Sequence, residues 1–366
     1  MDQRLHKLAR VLVNYSLGIK PGHLMKIQAE PIAAPLIAAV YEEALRQGAH
    51  IYNEAVYIDL RESLLRYGSD EQLMYYSPMK QLEVEKIDAM LSIWGTTNTK
   101  FLSGVDPARQ QLLNKAGRPY VERFFARQAE GTLHWCGTQF PTEAHAQDAE
   151  MSLREYEDFV FRAGHLHEDD PVAYWRNVET EQDRLVKILN SVDSLHLRAE
   201  QTDLKLRVQN RKWINCCGKE NFPDGEIFTS PIEDSVNGTI RYSFPAFYGG
   251  REVPGVRLTF KEGVITEARA EKYDDFLQSM LGTDEGARRL GEFAIGTNYE
   301  IKKFTRNTLF DEKIGGTCHL AIGASFPEAG GKNKSAIHWD MVCDLNNGGE
   351  IEADGKVIYR NGVFTI

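Results

Sequence analysis

The periodicity of the chain changes character near residue 190, and that change limits the folds open to it. Before it, apolar runs that read as strands alternate with helical patterns. Residues 23–29 read as a strand, 33–47 as a helix stopped by Gly48, and 50–57 as a second strand. A helical stretch over 70–81 leads into an apolar run over 87–94. Helical patterns at 107–115 and 119–127 then precede a strand pattern at 132–137. Such alternation packs as a mostly parallel sheet covered by helices. The stretch 142–190 is helical and charged, clearest at 151–162 and 175–189. From Leu195 short alternating strands take over, with glycine-rich turns between them. One helix is predicted among them, over 284–295 with Thr283 as its N-cap. A chain of 366 residues exceeds one ordinary core. The expectation is an α/β domain over 1–190 and an α+β, strand-rich domain over 191–366 that carries the functional site.

The sharpest chemical signal lies in Ser335-Ala336-Ile337-His338-Trp339-Asp340-Met341. In a strand, His338 and Asp340 share one face while Ile337, Trp339 and Met341 share the other. An imidazole and a carboxylate presented side by side from a rigid strand begin a metal site. His319 is the only ionisable side chain in the glycine-bounded run 315–323. Either histidine alone reads more plainly as a core residue bonded to a backbone carbonyl. Glu226 follows the turn signal Asp224-Gly225, where an exposed residue is the ordinary reading. Glu292 falls near the end of the predicted helix, where a carboxylate opposes the dipole unless Arg288 or a metal compensates. Taken together, Glu226, Glu292, His319, His338 and Asp340 offer three carboxylates and two imidazoles. That set suits two divalent ions sharing a carboxylate, roughly 3.5–4 Å apart, which activate water and polarise a carbonyl. Zinc, cobalt, manganese or magnesium fit such donors, and without thiolate ligands a structural zinc does not. Strand alternation turns Cys318 away from His319.

Composition excludes several alternatives. A formal net charge of -10 argues against nucleic acid as a partner, since phosphates call for a basic face. No apolar stretch is long enough to span a membrane, and no leader pattern is visible. The five cysteines are odd in number and lack a C-x-x-C pair, which fits reduced thiols in a cytoplasmic protein. Neither G-x-G-x-x-G nor a P-loop occurs, so a nucleotide site has no support. H-E-x-x-H, G-x-S-x-G and S-x-x-K are missing as well.

Several of these segments resemble the thermophilic-aminopeptidase family of metallopeptidases, the group that includes aminopeptidases T, S and PepS. The likeness is strongest over 221–231, 291–298, 309–319 and 335–340, with weaker echoes at 15–22 and 141–144. It implies an exopeptidase that takes peptides with a free N-terminus, two divalent ions, and a homodimer enclosing the active site. By motif it implies that Glu226, Glu292, His319, His338 and Asp340 are the metal ligands. At one position the chain departs: a family Tyr-Pro pair, whose hydroxyl is expected near the metals, is here Phe326-Pro327. Glu226 is a candidate general base, although a metal-bound carboxylate is a poor one. Glu233 or Asp234 offers an unliganded alternative. Lys313 could stabilise an oxyanion or pair with Asp311 or Glu312. Trp339, Phe326, Phe247 and Tyr248 are candidate pocket walls. Two rival readings stand beside the peptidase. One is a mononuclear iron ring-cleaving dioxygenase of related fold, which needs two histidines and one carboxylate but neither Glu226 nor Glu292. The other is a peptidase-like protein that binds metal or peptide with little turnover.

Overall fold

The structure is a computed structural model that describes residues 2–366. The chain packs as two compact units, one of residues up to 174 with 218–223, the other of 175–217 with 224–366. In the first, β1 (Leu24–Ala29), β2 (His50–Ala55), β3 (Ala89–Trp94) and β4 (His134–Gln139) run parallel in the order β2-β1-β3-β4. A short strand, Asn221–Phe222, pairs beside β4. Met25, Ile27, Leu91 and Cys136 are fully buried in this sheet. The helix Ala34–Arg46 buries Leu36, Ala39, Val40 and Ala44, the three-to-four spacing of one helical face. Gly48 follows at φ +78°, a conformation other side chains rarely adopt.

The stretch expected as one helix over 70–81 is two, Asp70–Leu73 and Pro78–Lys86. Proline has no N–H to donate and its ring would clash with the preceding turn, so the first helix cannot run through Pro78. In the first turn of a new helix it fits, and there the Ser77 hydroxyl caps the Met79 N–H.

The second unit is built from antiparallel sheets. An eight-stranded sheet runs from Val264–Arg269 at one edge to Val363–Phe364 at the other. A five-stranded sheet contains β5 (Ile214–Cys216), β6 (Glu226–Thr229), β7 (Leu290–Gly296), β8 (Thr317–Gly323) and β9 (His338–Asp344), in the order β9-β8-β7-β6-β5. Leu195, Leu197, Leu204, Leu206 and Ile240 of the first sheet share one core with Ile227, Phe293, Leu320, Trp339 and Met341 of the second. Because side chains alternate, burying these residues turns Glu226, Glu292, His319, His338 and Asp340 to the opposite face.

The helix predicted over 284–295 does not form. A single 3-10 turn, Gly286–Arg288, leads directly into β7. Every residue of β7 is buried, and a continuous apolar run of that length carries no period that separates strand from helix. Its glycines mark the difference. A Cβ on Gly291 would lie 2.0 Å from the Ala324 carbonyl oxygen, and one on Gly296 would lie 2.2 Å from that of Ile314. Thr283 caps nothing here. Asp284 instead accepts from the Ala287 and Ala336 N–H groups and the Ser335 hydroxyl. Glu292 therefore sits mid-strand, and Arg288 bonds the Ile265 carbonyl instead of pairing with it. All five cysteines are free thiols, and no helix among the described residues is long and apolar enough to cross a membrane.

Trp339 is 1% exposed and packs against Tyr248 and Phe276 on the core face of β9. Trp339→Ala is expected to destabilise this unit by about 3–5 kcal/mol in denaturant unfolding. A loss below about 1 kcal/mol would mean that this face is not the core.

Candidate metal centre

The five predicted residues meet on the outer face of the five-stranded sheet, brought there by strand register. Each lies opposite a small residue on a neighbouring strand. Glu226 faces Gly296, Glu292 and Asp340 face Ala321, His319 faces Ala294, and His338 faces Gly323. Long side chains on adjacent strands lean over these gaps and converge. His319 Nε2 lies 3.5 Å from Glu226 Oε2 and 3.7 Å from Glu292 Oε1. His338 Nε2 lies 3.1 Å from Glu292 Oε2 and 3.3 Å from Asp340 Oδ1. The two oxygens of Glu292 thus face different imidazoles.

Two residues that the sequence reading did not place as ligands complete the cluster. Glu312 follows the short helix Thr308–Asp311 and forms a compact group with Glu226 and His319. Lys313, 2% exposed, puts its Nζ 3.2 Å from Glu226 Oε1 and 2.6 Å from Glu312 Oε2. Of the two partners considered for Lys313, it takes Glu312. The Asp311 carboxylate is occupied by the Thr305 N–H and hydroxyl. A hint existed in the sequence: Asp-Glu-Lys at 311–313 is a charged triplet set in an apolar segment that stays buried.

Other expectations are corrected. Glu233 is not at the cluster: it pairs with Arg211 at 2.7 Å and accepts from the Lys332 N–H, anchoring a loop. Asp234 is exposed. Trp339 and Tyr248 pack at the core on the far face, so neither walls a pocket here. Phe326 does stand at the site, edge-on to His338 with ring centroids 5.1 Å apart. Cys318 points into the core, as alternation requires.

The electrostatics are those of a crowded anionic site. Burial alone would lower the imidazole pKa values, but the carboxylates outweigh it. Glu292 and Glu226 push His319 up to about 9, and Asp340 with Glu292 pushes His338 up to about 12. Burial works against Asp340 and Glu292 ionising, yet the imidazoles hold both below the ordinary range. Burial also opposes the Lys313 ammonium, which Glu226 and Glu312 nonetheless keep charged. Glu312 is pushed well up, first by burial and then by Asp340 and Glu226.

These residues fit metal ions. Without metal, the four carboxylates Glu226, Glu292, Glu312 and Asp340 are offset by the Lys313 ammonium and two protonated imidazoles. Once the imidazoles give up their protons to coordinate, a buried negative surplus is left. Such a surplus does not persist without cations or protons. Glu226 Oε2, Asp340 Oδ1 and His319 Nδ1 are buried without a hydrogen bond among the described residues. His338 Nδ1 lies 2.8 Å from the Ala324 carbonyl, so it donates there and leaves Nε2 as a lone-pair donor toward the cluster. The donors form two overlapping triads, Glu226–Glu312–His319 and Glu292–His319–Asp340. The strands are also clamped from behind. Gln182 Nε2 donates toward Asn215 Oδ1 and the carbonyls of Cys216 and Glu226, at 2.6, 3.0 and 3.1 Å, while its Oε1 accepts from Thr297.

Comparison with known proteins shows the family and the fold. Residues 1–364 match the family described as thermophilic metalloprotease (M29). The chain is 30% identical to aminopeptidase 2 of Geobacillus stearothermophilus, over 99% of this chain and 97% of that protein. It is 28% identical to aminopeptidase AmpS of Bacillus subtilis, over 99% and 98%. The structure of wild-type AmpT from Thermus thermophilus superposes with a TM-score of 0.85 at 26% identity, covering 100% of this chain and 99% of that one. The ring-cleaving dioxygenase reading finds no support. With its α/β unit, its strand-rich second unit and its cluster of acidic and imidazole donors, the chain belongs to the thermophilic metalloprotease (M29) family, enzymes that depend on divalent metal ions.

Proposed function

We propose that the chain is a metal-dependent aminopeptidase whose two divalent ions are held by Glu226, Glu292, His319, His338 and Asp340. Family membership and full-length similarity to aminopeptidases support the activity. The observation that carries the two-ion reading is the pair of overlapping triads around a buried charge surplus. Glu292 would be the ligand able to serve both ions, since its oxygens face His319 and His338 separately. When bound, such ions polarise the scissile carbonyl and lower the pKa of a water toward 7.

The chain's own groups supply the rest. Both Glu226 oxygens already face Lys313 and His319, which leaves it poorly placed as a base. Glu312 shares a triad with Glu226 and His319, and burial raises its proton affinity, so without metal it holds a proton that it can pass to the leaving amine. Lys313 keeps Glu226 and Glu312 in place. A carboxylate not taken up by metal would accept the substrate ammonium, and that would confine cleavage to free chain ends. Zinc or cobalt suits the nitrogen and oxygen donors. A cytoplasmic homodimer and a peptide substrate belong to the same reading, on family resemblance.

Release of amino acids from matched free and N-acetylated peptides tests the activity. Cleavage of the free series alone, with about two divalent ions per chain, is the expected result; cleavage of both series, or of neither with both ions bound, overturns it. Glu292→Gln is expected to abolish hydrolysis and reduce bound metal while circular dichroism stays unchanged. Retained activity would remove Glu292 from the ligand set.

Metal binding must also depend on pH. Without metal, pH 7 lies below the values of about 9 and about 12 for His319 and His338, so both imidazoles hold protons. Each must lose its proton to coordinate, so affinity rises with pH. Calorimetry in buffers of different ionisation enthalpy is expected to show about two protons released per chain. Zero release at pH 7 would exclude the imidazoles as ligands.

A further inference from the structure

Beside the charged cluster, on the same face of the sheet, lies a small apolar cluster separate from the main core. Phe228, Ala294 and Ala329 are its buried floor, and Ile214, Cys216 and Phe326 are half-buried around it. Phe326 packs on Phe228 with ring centroids 4.9 Å apart. Its other neighbour is His338, the most open of the five proposed ligands, with a side chain 29% exposed against 1% for His319. Phe326 therefore flanks the open end of the site.

The ring is also held in place. The Phe326 N–H donates to the Ser230 hydroxyl at 3.1 Å, and its carbonyl accepts from Gly331 at 3.0 Å. The Lys212 N–H closes the same loop onto the Ala329 carbonyl. Glu312 and Lys313, which group with Glu226, are charged, and beside them an apolar side chain gains nothing. On the aminopeptidase reading, the first side chain of a substrate held at the cluster by its terminal ammonium has these rings within reach.

We propose that Phe326 and Phe228 form the wall that receives the side chain of the substrate's first residue. The chain then selects peptides that begin with a large apolar residue, leucine or phenylalanine rather than glycine. This rests on the aminopeptidase reading and specifies its substrate class. Phe326 sets specificity by contact with that side chain.

The test is calorimetric binding of leucine hydroxamate and glycine hydroxamate to the zinc-loaded full chain, with zinc content measured in parallel. Leucine hydroxamate is expected to bind at least about 10-fold more tightly, the scale set by a few methylenes in an apolar site. Phe326→Ala is expected to bring that ratio close to one, and Phe326→Tyr, which keeps the ring, to preserve most of it. Should Phe326→Ala fail to hold zinc, Phe326→Leu keeps most of the bulk and is expected to narrow the phenylalanine-to-glycine hydroxamate ratio several-fold. A ratio near one in the native protein, or one unmoved by losing the ring, overturns the proposal. Binding is read without turnover, so the two readings separate. A strong ratio in a zinc-loaded protein that releases no amino acids sinks the aminopeptidase and keeps the wall. Peptide release without a ratio does the reverse.

Discussion

Four carboxylates buried with one ammonium and two imidazoles are the constraint on which the rest of this structure depends. The carboxylates repel one another, and the paired imidazoles and ammonium offset that repulsion without explaining why the groups meet. They are held together by the sandwich behind them, whose core fixes the strands and whose alternation leaves no choice of face. The apolar side of β7, β8 and β9 therefore positions the polar side, and slipping any strand by one residue would bury the charges in hydrocarbon. The energy that keeps the site assembled is spent on the far face of the same strands.

Small residues complete the arrangement. Ala294, Ala321, Gly296 and Gly323 stand across from the proposed ligands and leave the volume into which imidazoles and carboxylates lean. A sheet face made only of large residues would have kept those groups parallel and apart.

How much of this was legible in the sequence varied with the kind of signal. His338, Trp339 and Asp340 could be read directly, because a two-residue period states which side chains travel together. The parallel first sheet could be read from alternation of elements, and the second unit's strands from their short runs. Glu292 was named as a site candidate on a wrongly assigned element, and it sits mid-strand in the cluster. β7 is buried on both faces, so its sequence has no amphipathic period, and the packing that makes it a strand comes from residues far along the chain. Glu312 was passed over because a charge beside a lysine usually marks a solvated surface. Only the fold shows that this pair is enclosed. Glu233 failed as an alternative for a similar reason, since its partner Arg211 lies 22 residues away in sequence.

The amide of Gln182 has a consequence for how the site is held. One side-chain NH₂ carries two hydrogens, yet three acceptors surround it: Asn215 Oδ1 and the backbone oxygens of Cys216 and Glu226. The three contacts therefore cannot all be full bonds, and the amide is shared among a side chain of β5 and the backbones of β5 and β6. Its other end accepts from Thr297, just past the end of β7. One helix side chain thus ties the backbone that carries Glu226 to the segment that follows Glu292's strand, so the spacing of two candidate ligands depends on a residue that touches neither carboxylate.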